Sequence, residues 1–126
     1  MLTNDSIRAR RMLKAAQDAV LFCQDYTVET LRSDRMRALA VIRCLEIIGD
    51  VATSVTPALK QANRSIPWRA LAQMRKRLSQ LYFSTDLAVV LETCQHELPA
   101  IIAELTKIIG VEESKTATGT EASEAA

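Results

Sequence analysis

Between Pro67 and Asp86 the chain reads PWRALAQMRKRLSQLYFSTD. This run brings Arg69, Arg75, Lys76 and Arg77 close in sequence to Tyr82. Guanidinium and ammonium groups bind phosphate oxygens and carboxylates, and the planar fork of Arg can take two oxygens at once. The run lies within a longer charge anomaly. From Val51 to Thr85 there are six Lys or Arg (Lys60, Arg64, Arg69, Arg75, Lys76 and Arg77) and no Asp or Glu. The whole chain has 16 basic and 15 acidic residues, so its net charge says little. The distribution says more: an acid-free basic segment suits a surface that meets phosphates or acidic side chains. From charge alone, a solvated helix face fits the same residues. Taken by itself, Tyr82 is a partly buried aromatic that packs its ring and exposes its hydroxyl.

These residues need helices to position them. The chain has 126 residues, enough for one domain. Gly, Pro and aromatic residues are scarce, which favours helix over strands and hairpins. Thr3, Asn4 and Asp5 offer caps for a first helix to about Gln24, with Ala9, Leu13, Ala16, Val20 and Cys23 on its apolar face. Thr27 and Thr30 suggest a short helical turn, and Asp34 caps the next helix. That helix carries two apolar stripes, Ala38-Val41-Leu45-Ile48-Ala52 and Ala40-Cys44-Ile47-Val51-Val55, with only Arg43, Glu46 and Asp50 as a polar strip. A helix apolar over most of its girth must be covered on two sides. A homodimer is the expected second cover, and the chain's own core is the alternative. Thr56-Pro57 starts a short helix to about Ala62, and Ile66-Pro67 starts the basic helix, seamed by Leu71, Met74, Leu78 and Leu81. The last helix carries Leu87, Leu91, Cys94, Leu98, Ile101, Leu105 and Ile108, with Pro99 expected to kink it and Gly110 to end it. Residues 111–126 are expected to form a disordered tail. The sum is an all-α antiparallel bundle over residues 1–110.

Several function classes drop out. No apolar run reaches the roughly 18 residues that a membrane span needs. The N-terminal MLTNDSIRARR lacks a secretory core, and a cytoplasmic protein is expected. Cys23, Cys44 and Cys94 have no C-x-x-C spacing, and each lies in an apolar stripe, so buried reduced thiols are expected. His96 is the only His. No metal site and no cofactor are expected.

Three segments in order, IRCLEIIGDVA (42–52), IPWRALAQMRKRL (66–78) and LYFSTDLAVVLETCQHELP (81–99), resemble HEPN-domain proteins of the HepT type. These are the toxin halves of type VII toxin–antitoxin systems, and the resemblance covers almost the whole chain up to Gly110. It implies an all-α bundle that dimerises and cleaves RNA without metal, paired with an MNT-type nucleotidyltransferase antitoxin. The family motif R-N-x-x-x-H-x-Y matches Arg75 to Tyr82. Arg75 and Tyr82 agree with it, Lys76 stands in place of Asn, and Gln80 stands in place of His. The resemblance makes Tyr82 the residue that the partner modifies with AMP.

The motif's residue types suit the chemistry. Attack of a 2′-hydroxyl on the adjacent phosphorus needs a group that exchanges protons near neutral pH, which His supplies. It also needs a fixed cation for the phosphorane charge, which Arg supplies. Gln can hydrogen-bond but has no titratable proton, and losing positioned proton transfer costs about two to four decades in rate. Arg75 and Gln80 are about 140° apart on a straight helix. Either the helix unwinds before Gln80 or a second chain completes the cleft. Arg75 is expected to stabilise charge, and Arg69, Lys76 and Arg77 to bind RNA. Two functions follow: a HepT-like ribonuclease with altered chemistry, or an impaired binding module that dimerises and docks its nucleotidyltransferase.

Overall fold

Thr27, Asp34, Thr56 and Asp86 each place a side-chain oxygen on the free N–H groups of a helix start, so the helix boundaries follow from local chemistry. The computed structural model describes residues 4–80 and 86–125, with side chains at all of these except 77, 79, 80 and 112–125. Their regular structure is entirely helical. The helices are α1 (Asn4–Cys23), α2 (Val28–Arg32), α3 (Arg35–Ser54), α4 (Pro57–Ala62), α5 (Trp68–Gln80), α6 (Leu87–Glu92) and α7 (Leu98–Ala125). A π turn, Thr93–Glu97, joins α6 to α7.

α3 lies at the centre, packed against α1 on one side and α5 on the other, and α7 closes over α1. Val41, Leu45, Ile48 and Ala52 are fully buried, and so are Val51 and Val55 of the second stripe. The chain thus covers the first stripe completely and the second only in part: Ala40 and Ile47 are half-buried, and Met36 and Leu39 near the start of α3 are exposed. Met12, Leu31, Ile66, Leu98 and Leu105 complete the core, each contributing about 1.5–3 kcal/mol by leaving water. Trp68 is buried, and its indole N–H donates to the Asn63 carbonyl at 3.0 Å, which makes it the expected core anchor.

Two polar ties set how the helices meet. Asp5, in the first turn of α1, accepts from the Thr56 N–H at 3.1 Å and from the Thr56 hydroxyl. At the other end of α1, Asp25 adopts the left-handed conformation with φ 63°, a common way to leave a helix. Beyond it, Arg37 donates to the Phe22 carbonyl at 3.2 Å and lies over the Tyr26 ring at 4.7 Å.

Pro99 has no N–H to return to the Gln95 carbonyl. The turn before it opens into π geometry, with the Leu98 N–H reaching Thr93. The exposed Gln95 amide then donates to the carbonyls of Cys23 (3.1 Å) and Tyr26 (3.0 Å), locking this turn to the end of α1.

Gly110 does not end the last helix. α7 continues to Ala125, because one interior Gly costs about 1 kcal/mol and no Pro follows it. The helix thus runs into the segment expected to be disordered. Packing is described as far as Val111, and Ile109 is the last buried residue.

Candidate functional site

α5 begins where the Pro67 carbonyl accepts the Leu71 N–H at 3.0 Å. Leu71 and Leu78 are buried against the bundle, and Met74 is half-buried beside them. α3 and α5 approach closely at Gly49. A Cβ built there would lie 2.6 Å from the Arg75 Cβ and 3.1 Å from the Leu71 carbonyl oxygen. Only Gly allows this approach, which brings Arg75 against the polar strip of α3. Arg75 Nε pairs with Asp50 Oδ1 at 2.5 Å, and the Arg75 side chain remains 55% exposed. Asp50 grips one edge of the guanidinium while more than half of the side chain faces solvent. On the same strip Arg43 pairs with Glu46 at 3.3 Å.

Asp50 carried no role in the sequence. Its place in the polar strip of α3 was visible, but its meeting with Arg75 depends on the Gly49 crossing, which spans residues far apart in the chain.

α5 is continuous through Gln80, so the helix does not unwind before that position. The separation of about 140° between positions 75 and 80 therefore holds within one chain. Arg69 and Lys76 are exposed. The side chains of Arg77 and Gln80 lie outside the described residues, as does Tyr82 entirely.

On the other side of α5, an open cleft of about 570 Å³ separates it from α6 and α7. Leu71, Met74, Leu78, Val89 and Ile101 give it an apolar floor, and Asp86, His96, Glu97 and Glu104 form its rim. His96 is exposed and lies 3.9 Å from Glu92. Arg75 is not among the lining residues. The Leu71–Leu78 seam stands between the two, so the fold does not bring His96 to Arg75.

The three cysteines are buried free thiols. Contact with the Cys23 thiol, together with burial, pushes the Cys94 thiol far up, and burial pushes Cys44 up as well. Among the described residues, no group of three or more His, Cys, Asp or Glu could hold a metal ion. Within the same limits, no helix is long and apolar enough to cross a membrane.

The family model described as "Ribonuclease HepT-like" matches residues 12–108, which span α1 to α7 and include Gly49, Asp50 and Arg75. The chain belongs to the HepT-like ribonuclease family. The HepT-like chain is 35% identical to a Methanocaldococcus jannaschii protein named "Putative RNase" over 78% of its own length and 84% of that protein's. It is 33% identical to a second protein of that name from the same organism, over 78% and 81% of the two chains. It is 32% identical to a Thermococcus cleftensis protein named "Probable ribonuclease HepT", over 69% and 79%. No solved structure matches it significantly. The HEPN, HepT-type resemblance and the all-α bundle expected from the sequence are both borne out.

Proposed function

We propose that this HepT-like chain is the toxin component of a HEPN/MNT toxin–antitoxin pair, acting on RNA in the cytoplasm with no cofactor. The observation that carries the reading is the placement of Arg75, brought to α3 by Gly49, gripped by Asp50 and more than half exposed. A guanidinium fixed on one edge and open on the other suits the charge that develops on a phosphorane. Asp50 orients it, and Arg69, Lys76 and Arg77 add cations for the RNA backbone.

In this reading the 2′-hydroxyl attacks the adjacent phosphorus. The 5′-oxygen of the next nucleotide leaves with a proton, and a cyclic phosphate remains. Gln80 stands where the proton-transfer group belongs and cannot move the proton. RNA binding with poor cleavage is the expected behaviour.

A homodimer completes the site. Positions 75 and 80 point apart within one chain, so the second copy supplies the group that faces Arg75. Tyr82 is the proposed acceptor of AMP from an MNT-type nucleotidyltransferase. The added phosphate would compete with RNA for Arg75 and Lys76.

Gln80 also favours a second reading: a binding module that has lost cleavage but still dimerises and docks its nucleotidyltransferase. One experiment separates the two. Gln80→His should raise RNA cleavage at least about a hundredfold, the low end of what positioned acid–base groups contribute, and Arg75→Ala in that background should remove the gain. Equal inactivity of Gln80→His and the unaltered chain would favour the binding module. Brisk cleavage by the unaltered chain, indifferent to position 80, would overturn the assignment of the site, and His96 would be tested next.

A further inference from the structure

A second cleft lies at the opposite end of α5 from Gln80. It is formed by the turn after α4, the end of α3 and the first turns of α5. Lys60, Arg64 and Arg69 line it together with Thr53, Trp68 and Gln73. Three cations converge there, and among the described residues none of the three has an acidic partner. The acid-free stretch from Val51 to Thr85 explains why: no carboxylate is close in sequence to compensate them. The buried Trp68 and Ile66 stiffen the wall. Trp68 is buried and offers little ring face to a base, so this is a charged groove and not a stacking platform.

The groove does not end at Arg69. At 100° per residue, positions 69, 73, 76 and 80 fall within about 60° of one another around α5, whereas Arg75 lies about 120° from Arg69. Arg69, Gln73 and Lys76 therefore form a polar stripe that leads from the groove to the Gln80 position, over about 16 Å of helix rise.

We propose that the groove of Lys60, Arg64 and Arg69 is a phosphate-backbone subsite for single-stranded RNA. It holds the strand at the start of α5 and feeds it along the stripe toward the Gln80 position. The inference rests on the RNA reading above. A polyanion is the occupant that this charge pattern favours. An acidic protein surface is the competing occupant, and the test distinguishes it.

The test compares the unaltered full chain with Lys60→Gln/Arg64→Gln, using an unstructured oligouridylate of about twenty nucleotides and a uridine dinucleotide. The long strand can cover the groove and the Gln80 end together, and the dinucleotide is too short to span the roughly 16 Å between them. The double variant should bind the long RNA about tenfold or more weakly at moderate salt. Its slope of log affinity against log salt should be shallower by about 1.4, which is about 0.7 for each lost phosphate contact. Its affinity for the short RNA should be unchanged. The charge-preserving Lys60→Arg/Arg64→Lys should bind both RNAs as the unaltered chain does, which guards against misfolding as the cause.

Long-RNA binding that is indifferent to the double substitution overturns the subsite while leaving the RNA reading intact. An equal loss for both lengths overturns it too, since the groove would then be part of one compact site. Unchanged RNA binding combined with lost binding of a nucleotidyltransferase partner would make the groove a protein dock. Failure of the unaltered chain to bind either RNA would overturn the subsite together with the RNA reading.

Discussion

Gly49 and Arg75 touch where α3 crosses α5: a methyl group on Gly49 would sit 2.6 Å from the Arg75 Cβ, closer than real carbon atoms approach. The other near neighbour is the Leu71 carbonyl oxygen, so neither obstacle can swing aside as a flexible side-chain tip would. Gly49→Ala gains about 1 kcal/mol of helix propensity but meets an overpacking cost of about 1–3 kcal/mol. A net loss of about 1 kcal/mol is expected, seen as a fall of about 4 °C in Tm. A raised Tm in thermal unfolding would show that α5 can retreat at no cost.

Asp50 and Arg75 form an exposed pair, and such pairs add about 0–1 kcal/mol to stability. Asp50→Asn should therefore leave Tm nearly unchanged. In a Gln80→His background it should lower RNA cleavage by about tenfold or more, because the guanidinium loses its orientation. Asp50→Glu should recover part of the loss. Parallel losses of Tm and activity would reduce Asp50 to a structural role.

Asp5 gives the bundle an acid limit at one corner. Burial raises its carboxyl pKa, but hydrogen bonds from Thr56 and Arg8 outweigh that and hold it below the ordinary 3.8. A carboxyl with a lowered folded pKa adds stability above its unfolded value and loses it as pH falls through the folded one. Asp5→Asn should thus be less stable than the parent at neutral pH. The gap in Tm should narrow only below about pH 3.8 and close in stronger acid. A gap that is constant down to pH 2 would assign the effect to the hydrogen-bond geometry and not to the charge.

Cys23, Cys44 and Cys94 should be inert to a thiol-specific reagent in the folded protein and react together on unfolding. Burial, and for Cys94 the contact with Cys23, keeps the reactive thiolate scarce at Cys44 and Cys94. The same contact with Cys94 lowers the Cys23 pKa, so Cys23 is protected by its complete burial alone. Labelling of one thiol under native conditions, read by intact mass, would contradict this packing.

Tyr82 should gain AMP when the chain meets an MNT-type nucleotidyltransferase with Mg²⁺ and ATP, and Tyr82→Phe should abolish the added mass. Addition that persists in Tyr82→Phe would place the acceptor elsewhere.

Much of the fold was legible in single residues. Asp34, Thr56 and Asp86 announced helix starts because an N-cap acts within one turn. The burial of Cys23, Cys94 and Leu105 followed from helical spacing. Gly110 misled because an end signal holds only when the chain beyond it cannot continue as helix. The two apolar stripes of α3 were plain, but how far α1 and α5 cover each depends on tertiary packing, which spacing within one helix does not reveal. In the candidate site Arg75 was legible from its motif. Asp50 was not, since its partner lies 25 positions along the chain and is reached only through the Gly49 crossing.

α5 packs chiefly on α3 and stands off α7 across the apolar cleft. A helix held mainly on one side opens at a lower free energy than the whole domain melts. Its amides should lose hydrogen-exchange protection earlier than those of α3. The segment that carries Arg75 is then the one the molecule can release without unfolding. Anything pushed into the cleft would work against a single helix–helix contact and would move Arg75 without covering it.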